Sequence, residues 1–153
     1  MMAMNETQLA KKLTENNVAY RVCRHPPVFN VPEACAALGV KPQEIVKNLL
    51  LKDGKGFFLC VLRGCDKLDF KTIAAARGGG KPSLARPEDV ERETGVKAGS
   101  VNLFSFPHVL IDEKARLLKE LNIHPDDNAT TVFAETQGAL ALVKHAQYGS
   151  YAK

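Results

Sequence analysis

Ile45-Val46-Lys47-Asn48-Leu49-Leu50-Leu51-Lys52-Asp53-Gly54-Lys55-Gly56-Phe57-Phe58-Leu59-Cys60-Val61-Leu62 sets the architecture of this chain. Two apolar runs flank Asp53-Gly54-Lys55-Gly56, a cluster of turn formers, and that is the pattern of a β-hairpin with a short loop. The expected strands are Glu44 to Leu51 and Phe57 to Leu62. Both are apolar on both faces, so the hairpin belongs inside a sheet and not at its edge. Strand residues alternate faces. Lys47 therefore shares a face with Ile45, Leu49 and Leu51, and Asn48 shares one with Val46 and Leu50. A lysine rarely lies fully buried without a partner. Lys47 must open onto a pocket, meet a carboxylate, or carry its ammonium to the sheet rim on its aliphatic stem. The structural reading of Asn48 is an amide that satisfies a broken ladder at a bulge.

Outward from the hairpin, helix and strand signals mix without strict βαβ repetition. Leu9 and Leu13 share one face of an amphipathic helix over Glu6 to Asn17. A strand over Val18 to Cys23 is stopped by Pro26-Pro27. Pro32 opens a helix that reaches Leu38, with Gly39 just past its end. Asp69 caps a helix through Phe70, Ile73 and Ala74 that ends at Gly78-Gly79-Gly80. A short strand at Ser83 to Ala85 precedes a helix from Pro87 to Thr94, closed by Gly95. Val109 to Ile111 is a strand, and Asp112 caps a helix through Leu118. Thr130 to Phe133 is a strand and Ala139 to His145 the last helix. Gln147 to Lys153 reads as a tail or the start of a linker. The expected fold is α+β, a mixed sheet, strongly curled, with helices outside it, in a single domain over residues 1–153.

Composition sets the outer limits. The chain has 153 residues, 45% hydrophobic and 25% charged, which excludes a disordered or collagen-like chain and a disulfide-dense miniprotein. No stretch approaches the ~18 apolar residues of a membrane span. Met1 to Asn5 has no basic and apolar signal pattern, so the expected compartment is the cytoplasm. Lys and Arg exceed Asp and Glu by 21 to 17, a mildly basic balance that permits a nucleic-acid partner without requiring one. Cys23, Cys35, Cys60 and Cys65 form no C-x-x-C pair and no zinc spacing, so no metal is expected and the thiols read as free.

Three further stretches carry polar chemistry. Asn122-Ile123-His124-Pro125-Asp126-Asp127-Asn128-Ala129-Thr130-Thr131 gathers a histidine, two aspartates and two threonines around a proline. His124 is a candidate general base or hydrogen-bonding group, and the alternative is a polar turn capped by Asp126 or Asn128. His25-Pro26-Pro27-Val28-Phe29 reads as a rigid loop that packs Phe29 into the core. Arg77, Lys81 and Arg86 flank the triple glycine, which lacks a P-loop pattern, with Lys67 and Lys71 upstream; they form either a phosphate-backbone patch or a solvated basic face.

Taken in order, these pieces resemble the YbaK/prolyl-tRNA-synthetase-associated superfamily of aminoacyl-tRNA deacylases. The resemblance rests on His25-Pro26-Pro27-Val28-Phe29, Val46-Lys47-Asn48-Leu49-Leu50-Leu51-Lys52-Asp53, Asp66-Lys67-Leu68-Asp69 and Ala85-Arg86-Pro87-Glu88-Asp89-Val90. It continues through Gly95 to Val101, Val109-Leu110-Ile111-Asp112, and Asn122-Ile123-His124-Pro125 with Asn128-Ala129-Thr130-Thr131. It covers roughly residues 5 to 146 and looks closest to the branch that removes alanine from mischarged proline tRNA. It implies hydrolysis of the ester between an amino acid and the terminal ribose of tRNA, without metal or other cofactor. The implied catalytic residues are Lys47, Asn48 and His124. The implied substrate contacts are His25, Gly99, Ser100, Asn128 and Thr130, with Lys67, Lys71, Arg77, Lys81 and Arg86 on tRNA. Prolyl-tRNA synthetase, in cis or in trans, is the implied partner. Alternatives are a deacylase for Cys-tRNA or another small aminoacyl-tRNA, and a non-catalytic tRNA-binding module appended to a synthetase. A cysteine-dependent hydrolase is a third. One departure stands out: where the family often has Pro-Phe after the Gly-x-Val loop, this chain has Val101-Asn102-Leu103-Phe104.

Overall fold

The computed structural model describes residues 4–153. Its elements are α1 (Glu6–Glu15), β1 (Tyr20–Arg24), α2 (Val31–Leu38), β2 (Val46–Asp53), β3 (Gly56–Arg63), α3 (Phe70–Arg77), β4 (Ser83–Leu84) and α4 (Pro87–Thr94). They continue with β5 (Val109–Asp112), α5 (Glu113–Arg116), β6 (Glu120–Ile123), β7 (Thr130–Glu135), α6 (Thr136–Ala141) and β8 (Ala146–Gly149). Local chemistry explains the helix ends. Asn5 and Gln8 exchange side-chain and backbone hydrogen bonds in a capping box at α1. Asn30 caps α2 and Asp69 caps α3, while Gly39, Gly78 and Gly95 close α2, α3 and α4 in left-handed conformation.

The hairpin forms β2 and β3, paired from Val46↔Arg63 to Asp53↔Gly56. It lies inside a five-stranded sheet of order β4-β2-β3-β5-β8. That sheet is mixed, since β3–β5 and β5–β8 are parallel and the other pairs antiparallel. A second, antiparallel sheet has the order β1-β7-β6. The single curled sheet expected from sequence does not form. The strands divide into two open sheets, with unclosed edges at β4 and β8 in one and at β1 and β6 in the other. The physical reason sits at the seam. Where a ladder would have to run on from β6 to β2, the side chain of Asn122 takes its place: Oδ1 accepts from Val46 N at 2.7 Å and Nδ2 donates to Val46 O at 3.0 Å.

The two faces of the hairpin feed two cores. Val46, Leu50, Leu59 and Val61 pack with Leu121, Ile123, Val132 and Ala134 of the smaller sheet and with Leu9 and Leu13 of α1. Leu51, Phe58, Cys60 and Leu62 face the other way, onto Ile73, Leu110 and Tyr151. Full burial of each such side chain contributes about 1.5–3 kcal/mol, so the hairpin is the structural spine. Burial also pushes the Cys60 thiol up to about 12, which keeps it a protonated core residue.

Several boundaries move. Glu135 accepts from Gln137 N and Gly138 N, so α6 starts at Thr136, earlier than expected, and gives way to a turn before His145. The helix after Asp112 stops at Arg116 instead of Leu118. The last residues are neither tail nor linker: β8 pairs with β5, Tyr151 is buried, and Asp112 accepts from Tyr151 N and Ala152 N. Among the described residues no helix is long and apolar enough to cross a membrane.

Candidate active site

The seam between the sheets opens on one side as a cleft of about 260 Å³ whose lining includes Lys47, Asn48, Gly99, Asn122 and His124. Its apolar walls come from Val28, Val31, Ala34, Ile45, Val46 and Val101. The Asn122 clamp holds the first residue of β2, and the two residues that follow, Lys47 and Asn48, both line the cleft although their side chains start on opposite faces of the strand. Lys47 Nζ reaches only a backbone oxygen, Gly64 O at 3.4 Å, and no carboxylate pairs with it among the described residues. Of the alternatives open from sequence, the carboxylate partner is not formed among the described residues, and Lys47 lines the cleft. Gly64 is needed there: a Cβ would lie 2.9 Å from Pro42 O and 3.1 Å from Val31 Cγ1. Asn48 Oδ1 is buried with no hydrogen-bond partner. An unpaired buried amide oxygen costs stability.

His124 is held from behind. Its Nδ1 lies 3.2 Å from Thr130 O and 3.3 Å from Thr131 Oγ1. Burial holds its pKa below the ordinary 6.5, only partly offset by the Thr130 carbonyl. The imidazole is therefore neutral at pH 7, and Nε2 makes no hydrogen bond among the described residues. His25 does not line the cleft. It sits behind His124, with Nε2 2.8 Å from Thr131 Oγ1 and Nδ1 2.8 Å from Pro26 O.

The opposite wall is the turn Ala98–Ser100 and the loop after it. Asn102, from the stretch that departs from the family pattern, organises this loop. Its backbone N donates to Ser105 Oγ at 2.9 Å, its Oδ1 accepts from Phe104 N at 2.8 Å, and its Nδ2 donates to His124 O. Gly99 is exposed and its missing Cβ would meet Phe29 O at an ordinary 3.5 Å, so the absence of a side chain there widens the cleft without being forced by the backbone. A second hollow of about 480 Å³ adjoins the first at Phe29 and Gly99, and Ser100 and Asn128 line it. Phe29 is not a core residue as expected; it is 69% exposed at the rim where the two hollows meet, because Val28 takes the inward position.

The other candidate residues lie apart from the cleft. Thr130 Oγ1 is a distant acceptor for Arg24. Lys67, Lys71 and Lys81 are exposed. Arg86 is exposed and stands near Glu88 and Asp89, at 3.9 and 4.0 Å. Arg77 is engaged internally: it makes a bidentate pair with Asp53, whose carboxylate is sealed from solvent, and stacks 4.1 Å from the Phe58 ring centroid. Its guanidinium holds the Asp53 carboxyl below the usual carboxylate range. Sequence reasoning does not find Asn102 and Thr131. Their only signal is that of polar residues flanking a motif, and their burial is set by the fold. Among the described residues no group of three His, Cys, Asp or Glu side chains could hold a metal ion.

Residues 25–142 match the family model described as an aminoacyl-tRNA editing domain. The prolyl-tRNA editing protein ProX of Acetoanaerobium sticklandii is 30% identical over 145 residues, 87% of each chain. A proline–tRNA ligase of Acidithiobacillus ferrooxidans is 34% identical over 107 residues, which are 67% of this chain but 18% of that ligase. Among solved structures, a hypothetical protein superposes with a TM-score of 0.83 at 22% identity, over 95% of this chain and 99% of that one. A trans-editing enzyme candidate for prolyl tRNA synthetase superposes at 0.79 with 24% identity, over 96% of both chains. The chain thus belongs to the aminoacyl-tRNA editing domain family.

Proposed function

We propose that this chain hydrolyses the ester of mischarged tRNA, with alanine on proline tRNA as its substrate. The observation that carries the reading is the convergence of Lys47, Asn48 and His124 on one small cleft with apolar walls. An aminoacyl ester is already activated, so positioning and charge stabilisation are the main requirements. The Lys47 ammonium stabilises the oxyanion as water attacks the ester carbonyl, or holds the terminal ribose or phosphate. Asn48 orients a ribose hydroxyl or the carbonyl. The lone pair on His124 Nε2 orients the water or the amino group of the amino acid. As the carbonyl carbon–ribose oxygen bond breaks, the neighbouring ribose hydroxyl shuttles the proton to the leaving oxygen. Gly99 forms the wall that approaches the acyl group, Ser100 and Asn128 line the adjoining hollow, and Thr130 acts only from behind, through its carbonyl on His124. Lys67, Lys71, Lys81 and Arg86 meet the tRNA backbone, and prolyl-tRNA synthetase is the partner whose product is corrected. Selection by apolar contact alone separates one methylene by about 1–3 kcal/mol, so exclusion of proline rests on steric clash with the wall around Gly99. The test is amino acid release from proline tRNA charged with alanine, cysteine, serine or proline. Fastest release of alanine supports the proposal. Preference for cysteine moves the substrate to another small amino acid, and tRNA binding with no release from any ester contradicts catalysis.

A further inference from the structure

The two histidines are joined by one buried hydroxyl. Thr131 is fully buried, and its Oγ1 lies 2.8 Å from His25 Nε2 and 3.3 Å from His124 Nδ1. The rings stand 6.5 Å apart at 75°. The direction of every hydrogen bond follows from the two ends. Pro26 O only accepts, so His25 Nδ1 carries a proton and its Nε2 offers a lone pair to the Thr131 hydroxyl. Thr131 spends its single proton on His25 and presents oxygen lone pairs to His124. Thr130 O also only accepts, so both neighbours of His124 Nδ1 call for a proton there. A neutral imidazole protonated at Nδ1 has its free lone pair on Nε2.

We infer that Thr131 and His25 are positioning residues that lock His124 in the Nδ1-protonated tautomer and so keep Nε2 an acceptor toward the cleft. This rests on the hydrolase reading for its consequence, but not for its geometry. Neither residue touches the reacting atoms; each acts through His124. Without the hydroxyl, His25 loses the donor to its Nε2, and His124 loses one of two acceptors that select its tautomer. Partners that orient a metal-bound imidazole are typically worth about ten- to a hundredfold, and the same kind of contacts on a metal-free imidazole are expected to act in that range.

The experiment is a long-range ¹H–¹⁵N spectrum of the histidine rings, with steady-state hydrolysis of alanyl proline tRNA on the same samples. The wild-type protein shows His124 with a protonated Nδ1 and a bare Nε2. Thr131→Val, which keeps volume and strand propensity, gives mixed tautomers at His124 and lowers kcat about tenfold or more with KM within about twofold. Thr131→Ser restores the pattern and kcat. His25→Phe reads the same relay from outside the buried strand: the freed hydroxyl proton turns toward His124 Nδ1, and the Nε2-protonated form gains population. An unchanged His124 spectrum in both Thr131→Val and His25→Phe overturns the inference, as does a serine variant no better than valine. If the wild type has the expected tautomer and releases no amino acid from any ester, the hydrolase reading fails and the relay stands.

Discussion

At the residue scale, the burial of His124 couples stability to pH. The His124 pKa in the folded protein lies below 6.5 because burial disfavours the imidazolium. The unfolded chain therefore binds the extra proton first as pH falls. The contribution of His124 to stability is constant above the unfolded value, declines as pH drops through about 6.5, and levels off below the folded value. His124→Gln removes that slope from urea midpoints measured between about pH 7 and pH 5, and an unaltered slope would contradict a buried neutral imidazole. Hydrolysis by the wild type persists below the pH at which a solvated histidine becomes charged. Lys47, Asn48 and His124, which line one cleft, stand out in the sequence as candidates, the first two as polar interruptions in an apolar strand and the third within a polar cluster. Thr131 does not. A threonine in a β-branched strand is unremarkable until the fold shows both histidines on the same hydroxyl.

At the element scale, the hairpin is fully legible, since turn chemistry and two apolar runs leave little else for it to be. Its neighbours are less so. β6 is four residues long, and β8 follows a helix that ends early, so neither repeats a pattern long enough to read. The division into two sheets is hidden because it depends on Asn122, a residue whose side chain substitutes for backbone pairing. Asn122→Ala leaves the Val46 N–H and C=O without these partners at a buried seam. At about 1–3 kcal/mol for each of the two groups left unsatisfied, the expected loss is about 2–6 kcal/mol, read as a lower urea midpoint. Hydrolysis falls further than the folded fraction explains, because Lys47 and Asn48 follow directly on the clamped residue. A variant with wild-type stability and rate would show the clamp to be dispensable.

At the scale of the whole molecule, the candidate basic residues do not form one patch: Lys67 follows the turn at Gly64, whose carbonyl Lys47 reaches at the cleft end of β2, whereas Arg77 sits at the other end of β2. Lys47 and Asp53 are six residues apart on that strand, about 20 Å at the rise of an extended chain, and Arg77 pairs with Asp53. Basic residues distributed over this length suit a substrate that runs from its aminoacylated terminus along a stem. Charge counting alone does not separate these residues, because pairing is set by the fold. Replacing Lys67, Lys71 or Lys81 by alanine reduces the salt dependence of tRNA binding by about 0.7–0.9 in log–log slope for each phosphate no longer neutralised. Arg77→Ala instead lowers the unfolding midpoint, since a sealed Asp53 carboxylate is left without its partner, a change of about 3–5 kcal/mol for a buried pair. Equal slopes for all four variants would remove these residues from tRNA binding. The central claim is that the Lys47 ammonium acts on the ester and does not merely support the fold. It is tested most directly by alanine release from alanyl proline tRNA, comparing wild type with Lys47→Ala at matched folded fraction. The account predicts rapid release by the wild type and a loss of about a hundredfold or more in the variant, with the unfolding midpoint little changed; wild-type release by the folded variant would contradict it.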